Sequence, residues 1–243
     1  MELKRLLPFT FVLLWSCQKD QWDDCITSTG PMRTEVRSVG FFDRIDLNDR
    51  VDLVLEQGDG SIRVEAGRNL LGQVVTEVRD GVLYVSNENR CNWVRSFKPR
   101  ITVHVPAGSL HEVTLRGTGN VSGTTTIQRP VFSIQQQGGL GSVRLHMEVD
   151  TCRIGFHAGA GDVVCSGTAA YADLYLASMG RMDLRSLAAA RVWAFNNGSG
   201  DILCRPEQRL DAIIRYVGDV RYTGSPATIT SDITGSGALI HDP

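Results

Sequence analysis

Gly117-Thr118-Gly119-Asn120-Val121 is the first of seven versions of one short phrase. It returns as Gly139-Leu140-Gly141-Ser142-Val143, Gly159-Ala160-Gly161-Asp162-Val163 and Ser178-Met179-Gly180-Arg181-Met182. The last three are Gly198-Ser199-Gly200-Asp201-Ile202, Tyr216-Val217-Gly218-Asp219-Val220 and Gly235-Ser236-Gly237-Ala238-Leu239. The shared glycines, Gly119, Gly141, Gly161, Gly180, Gly200, Gly218 and Gly237, are 22, 20, 19, 20, 18 and 19 residues apart. A fixed period near twenty marks a solenoid, in which each repeat is one unit stacked on the next.

Each repeat places two short apolar runs around its glycine. Cys152, Ile154 and Phe156 alternate with polar residues before Gly161, and Val163 and Cys165 follow it. Val143 and Leu145, Met182 and Leu184, Ile202 and Cys204, and Val220 and Tyr222 fill the equivalent slots. Alternation with a period of two means strand, with one face inward. A unit of two or three short strands cannot bury that face alone. Parallel stacking about 4.8 Å apart closes a common core, and seven rungs make a rod of roughly 30 Å. The glycines suit a corner that needs positive φ or room for a sharp turn. The fold expected for residues 116–243 is therefore all-β, a right-handed parallel β-helix. A β-sandwich is the alternative, but it supplies no reason for the period.

Residues 31–115 have a different texture and read as an antiparallel β region. Val51–Leu55, a Gly58-Asp59-Gly60 turn and Ile62–Ala66 predict a hairpin. Val82–Val85, Ile101–Val105 and Val113–Leu115 predict further strands, and Asn69–Val75 one helical turn. This region would start the sheet and cover the N-terminal end of the rod, with 31–243 one continuous domain. The far end, Leu239-Ile240-His241-Asp242-Pro243, lacks an obvious cap.

The chain begins Met1-Glu2-Leu3-Lys4-Arg5, followed by an apolar run that ends Leu14-Trp15-Ser16-Cys17. A basic start and a short apolar stretch form a secretory signal, too short to span a bilayer stably. Its end resembles a bacterial lipobox. That resemblance implies cleavage after residue 16, a diacylglycerol on Cys17 and a membrane anchor made of lipid. Residues 17–30 read as a tether. Gln18-Lys19-Asp20 is similar to a surface-export signal of some Gram-negative lipoproteins. The expected address is the outer membrane, with the cell surface favoured over the periplasmic face. Loss of residues 1–16 moves the formal net charge from −2 to −3, since Glu2, Lys4 and Arg5 leave with them. No basic field exists to draw nucleic acid.

One ordered set of motifs carries a family resemblance. Phe42-Asp-Arg-Ile45-Asp-Leu47, Val51-Asp-Leu-Val-Leu-Glu-Gln-Gly58, Ile62-Arg-Val-Glu-Ala66, Leu83-Tyr-Val85, Ile101-Thr-Val-His-Val-Pro106 and Gly117-Thr-Gly-Asn-Val121 occur in this order. The run resembles the bacterial family known as putative auto-transporter adhesin, head GIN domain, across about residues 36–240. The resemblance implies an all-β fold with a parallel β-helix and frequent lipoprotein signals. It implies no catalytic residues.

Candidate chemistry is sparse. With Cys17 lipidated, Cys25, Cys91, Cys152, Cys165 and Cys204 remain, an odd number. Cys25 and Cys91 are a candidate disulfide from tether to first sheet. Cys165 and Cys204 fall in inward slots two rungs apart, roughly 10 Å by strand spacing, which is beyond disulfide reach. They read as buried free thiols. Asp162, Asp201 and Asp219 follow their glycines directly, unlike the Asp of nine-residue calcium-binding repeats. They read as turn caps, so no metal or other cofactor is expected.

Asp173, Asp183, Arg181 and Arg185, like Asp150 and Arg153, are close in sequence, but nothing in the sequence joins them into a catalytic cluster. His104 and His111 flank a Pro-Gly turn. Trp93, Phe97, Tyr171, Tyr175, Trp193 and Tyr222 are candidates for a binding surface. Of these, Tyr175, Trp193 and Tyr222 are the first choice for contact with a glycan or protein surface. The function expected is non-catalytic binding, adhesion or a structural role at the cell envelope. Two alternatives remain open: a carbohydrate-active β-helix enzyme, and a periplasmic scaffold or assembly protein. The sequence leaves the oligomeric state open.

Overall fold

The structure is a computed structural model that describes residues 28–58, 60–89 and 100–243. These residues form a parallel β-solenoid of about six turns, each about 20 residues long, with antiparallel strands at the N-terminal end. Among the described residues, no helix is long and apolar enough to cross a membrane.

Five long strands make the body: β9 (Val121–Gln136), β10 (Val143–Phe156), β11 (Val163–Leu176), β12 (Met182–Asn196) and β13 (Ile202–Ile214). Each bends near its middle, and so contributes one arm to each of two facing walls. In β10 the first arm turns Val143, Leu145, Met147 and Val149 inward, and the second turns Cys152, Ile154 and Phe156 inward. The strands pair in parallel register, Val143 with Val163 and Ile154 with Leu174. Like residues therefore stack in columns: Val143, Val163, Met182, Ile202 and Val220 form one column that is wholly buried. Burying an aliphatic side chain of this size contributes about 1.5–3 kcal/mol. The second arm closes through a glycine turn back to the first wall.

That turn explains the period. A Cβ at Gly141 would lie 2.0 Å from the carbonyl oxygen of Gly119, and one at Gly161 would lie 1.9 Å from that of Gly141. Of the seven repeat glycines, none has a positive φ. They are required because successive turns approach so closely, not because the chain needs a left-handed conformation.

The parallel stack continues backward past residue 116. β3 (Asp52–Glu56) pairs with the first arm of β9, and β8 (Glu112–Leu115) pairs with the second. Beyond β3 on the first wall lie β7 (Thr102–Pro106), β4 (Ile62–Gly67) and β1 (Met32–Arg37). Beyond β8 on the second wall lie β2 (Arg44–Leu47), β6 (Val82–Asn87) and β5 (Val74–Arg79). The predicted hairpin of β3 with β4 does not form. β7 stands between them, parallel to β3 and antiparallel to β4. The predicted helical turn is a single 3-10 turn at Leu71–Gln73. At this end Arg37 donates to the carbonyls of Leu71 and Val74 and to Thr76 Oγ1, which ties the β1 edge to the β5 edge.

The far end is built differently. β14 (Val220–Tyr222) and β16 (Leu239–His241) finish the first wall, and β15 (Thr228–Ile233) finishes the second. Ile229 and Ile233 continue the inward column of Leu210 and Ile214, yet each is 42% exposed. Here the core ends without a lid among the described residues.

Candidate binding face

The two walls are built alike, but their outer surfaces differ. The first wall carries Arg144, His146, Glu148, Ser166, Asp183 and Arg185, an ordinary mixed polar surface. The second wall carries three successive rungs of another kind. Tyr171, Asp173 and Tyr175 lie on β11; Arg191, Trp193 and Phe195 lie beside them on β12; Arg209, Asp211 and Ile213 follow on β13. All nine alternate with buried residues, so all face outward.

The aromatic groups are in mutual contact. Ring centroids are 5.5 Å apart for Tyr175 and Phe195 and 5.8 Å for Phe195 and Trp193, with interplanar angles of 18° and 24°. His157 extends the row, 5.2 Å from Tyr175. Its Nε2 lies 2.9 Å from Gln135 Oε1. Gly155 makes this possible, because a Cβ there would meet both Gln135 and His157. These rings spend part of their faces on one another, so their own stacking fixes the row rigidly. Tyr222 is not part of it. It occupies the inward column above Cys204, packs on the core and stacks on His241 at 4.9 Å.

Beside the aromatic row runs a groove of about 1130 Å³ along the bend of the second wall. Ala170 and Ala190 are among its small residues, and Asp150, Tyr171, Arg191, Arg209 and Asp211 supply its polar lining. Arg209 donates to both oxygens of Asp211, each at 2.7 Å, and Thr230 donates to Asp211 as well. The Arg209 bonds hold the Asp211 carboxyl below the usual carboxylate range. Asp173 is pushed upward by burial, against the pull of Arg153 at 3.9 Å. Burial, then the charges of Asp173 and Asp211, raise the Tyr171 phenol. Among the described residues, Arg191 has no ion-pair partner and Tyr171 makes no ring contact.

The remaining candidates find structural roles. Cys152, Cys165 and Cys204 are free and buried. Burial pushes the thiols of Cys152 and Cys204 up to about 12. It pushes that of Cys165 well above its ordinary value, with help from Cys152. Asp162 accepts the Arg181 N–H, Asp201 the Asp219 N–H and Asp219 the Ala238 N–H, so each carboxylate ties its turn to the next. Asp52 and Asn120 do the same for Asn120 and Ser142.

Asp183 and Arg185 pair on the first wall, whereas Asp173 and Arg153 are on the second. His104 approaches Glu56 and Glu65, and His111 approaches Asp43. Among the described residues, no three His, Cys, Asp or Glu side chains are placed to hold a metal ion. Cys17, Cys25, Cys91, Trp93 and Phe97 lie outside the described residues. Sequence reading missed the partnership of His157, Arg191, Arg209 and Asp211 with Tyr175 and Trp193. The repeat carried part of the signal, since an offset of twenty leads from Tyr171 to Arg191, but Arg209 and Asp211 lie eighteen residues beyond Arg191 and Trp193 and escape that alignment.

A parallel solenoid with one wall rich in outward aromatic residues defines the class of protein by its fold, a parallel β-helix. The family model described as "Putative auto-transporter adhesin, head GIN domain" matches residues 41–226, and the chain belongs to that family. A comparison with curated proteins finds no match. Among solved structures, the chain is similar to a putative adhesin from Bacteroides fragilis NCTC 9343. The TM-score is 0.76 at 23% identity, covering 89% of this chain and 100% of that one. A putative lipid binding protein from Parabacteroides distasonis ATCC 8503 gives 0.65 at 20%, covering 88% and 98%. A putative adhesin from Parabacteroides merdae ATCC 43184 gives 0.57 at 18%, covering 89% and 99%. At these identities the likeness is one of fold.

Proposed function

We propose that the protein is a lipid-anchored component of the cell envelope that binds a surface ligand without chemical turnover. The observation that carries this reading is the unequal dressing of two otherwise equivalent walls. Tyr171, Tyr175, Trp193 and Phe195 face outward on the second wall, and no aromatic residue of the first wall does so in the same rungs. Family membership supports the same reading, as does the lipobox-like Leu14-Trp15-Ser16-Cys17. The lipid on Cys17 would hold the tether, and the surface face of the outer membrane is the favoured address.

Two experiments test it. Protease applied to intact cells is expected to cleave the wild-type protein, and a Cys17→Ala variant is expected to leave the membrane fraction. Protection until the outer membrane is opened would move the search to periplasmic partners. Separately, Trp193→Ala is expected to reduce cell adhesion while Arg185→Ala, on the first wall, does not.

One observation favours a hydrolytic reading. Asp173 and Asp211 lie two rungs apart on the same face, about 10 Å by strand spacing, near the separation used by inverting glycosidases. However, Arg209 and Thr230 occupy the Asp211 oxygens, which leaves a poor base for activating water. Release of reducing ends from a polysaccharide, abolished by Asp173→Asn, would establish catalysis nonetheless.

A further inference from the structure

We propose that the groove of the second wall binds an uncharged polysaccharide chain lying parallel to the solenoid axis. This rests on the binding-face reading and adds a ligand class to it.

Shape comes first. The groove is lined from Asp150 and Thr151 on β10 to Ala227 and Thr228 at the last rung. That is four rung steps, about 19 Å at the spacing of paired strands. A trough of this length suits a chain rather than a compact molecule. Its small residues, Ala170 and Ala190, leave room for a ring to settle between taller walls.

β11, β12 and β13 are each paired on both sides along this wall. An extended peptide therefore cannot join as an added strand along β11–β13, and among the described residues the unpaired edge of this wall, on β15, lies only at the groove's end. Along β11–β13 recognition falls to the side chains.

Those side chains are then matched to hydroxyl groups. Arg191 and Arg209 donate and Asp150 and Asp211 accept, so the four formal charges cancel. The groove therefore has no net field to attract a polyanion or a polycation. A sugar hydroxyl both donates and accepts, which a lining of both kinds satisfies. Tyr171 is 37% exposed and stacks on no other described ring, so its face is free for the apolar side of a pyranose. Arg209 and Asp211 already hold each other, so little side-chain freedom is lost when a ligand arrives.

The test uses the mature full-length chain in native gels containing soluble α-glucan, β-glucan or mannan, with a uronate polymer and a sulfated polymer alongside. Retardation by at least one uncharged polymer is expected. Tyr171→Ala and Arg191→Ala should each weaken it at least tenfold, without change in melting temperature. His146→Ala, on the first wall, should leave it intact. Retardation by the charged polymers alone, abolished by salt, would overturn the assignment. If no polymer is retained while Trp193→Ala still abolishes cell adhesion, the binding face stands and the glycan assignment falls. If adhesion also survives Trp193→Ala, both fall.

Discussion

A Cβ at Gly200 would sit 1.8 Å from the carbonyl oxygen of Gly180 and 2.8 Å from its carbonyl carbon. Backbone cannot yield locally there, because the same oxygen belongs to the turn beneath. Gly200→Ala is expected to cost about 3 kcal/mol, in the upper range for overpacking, and to lower the melting temperature by about 6–12 °C. Gly72→Ala, where nothing lies within 4 Å, should leave it nearly unchanged. The glycines were legible in the sequence as a period; the reason for them was not, since the collision lies between residues about twenty apart.

The buried thiols bear on stability as well. Cys152 and Cys204 titrate at about 12 when folded, against an ordinary value near 9. The folded state thus keeps protons that the unfolded chain releases, so stability falls as pH rises from about 9 toward 12. At pH 8 a thiol reagent should leave Cys152, Cys165 and Cys204 unmodified until denaturant is added.

Each turn is locked to its successor by a short side chain, as where Asp201 accepts the Asp219 N–H at 2.9 Å. Asp201→Ala should cost about 1–2 kcal/mol through the unsatisfied N–H, while Asp201→Asn keeps an acceptor and most of the stability. Calcium should leave both melting temperatures unchanged, because the carboxylate's partner is backbone.

The β3–β4 hairpin shows the limit of local reading. Val51–Leu55 and Ile62–Ala66 carry a hairpin pattern, but Thr102–Pro106, arriving 36 residues after Ala66, takes the place between them. Turn chemistry cannot reveal a strand inserted from elsewhere. The outward direction of Tyr175 was legible from its flanking Leu174 and Leu176. Its neighbour Phe195 lies one period of twenty further on, whereas the neighbours one rung beyond that were hidden by register. The step from β12 to β13 contains irregularities between Asp183 and Ala188 and between Ala189 and Arg191, so a fixed offset of twenty does not align Trp193 with Asp211.

For the molecule as a whole, the two ends of the stack are unequal. At the N-terminal end Arg37 ties the two edges together, and Leu70, Leu71 and Val74 are buried beneath them. At the other end, all six residues of β15 are exposed, and the last rung is held by ion pairs of Arg215 with Asp232 and Arg221 with Asp242. In a stacked solenoid each rung contacts only its neighbours, so opening starts at the end with the weakest interface. Hydrogen exchange should therefore be slowest in β10–β13 and fastest in β15 and β16.

Acid should widen that difference. Its bond to Arg215 holds Asp232 below the ordinary carboxylate range. A carboxyl lowered by folding stabilises fully above its unfolded value, near 3.9, and loses that contribution as pH falls through the folded value. Exchange in 228–233 should accelerate below about pH 4, ahead of global unfolding. Arg215→Ala should produce the same local acceleration at pH 7 while the melting temperature stays put. If Arg215→Ala instead lowers the melting temperature and speeds exchange in β11 and β12 equally, the solenoid opens as one unit. The unequal ends would then have no bearing on how it unfolds.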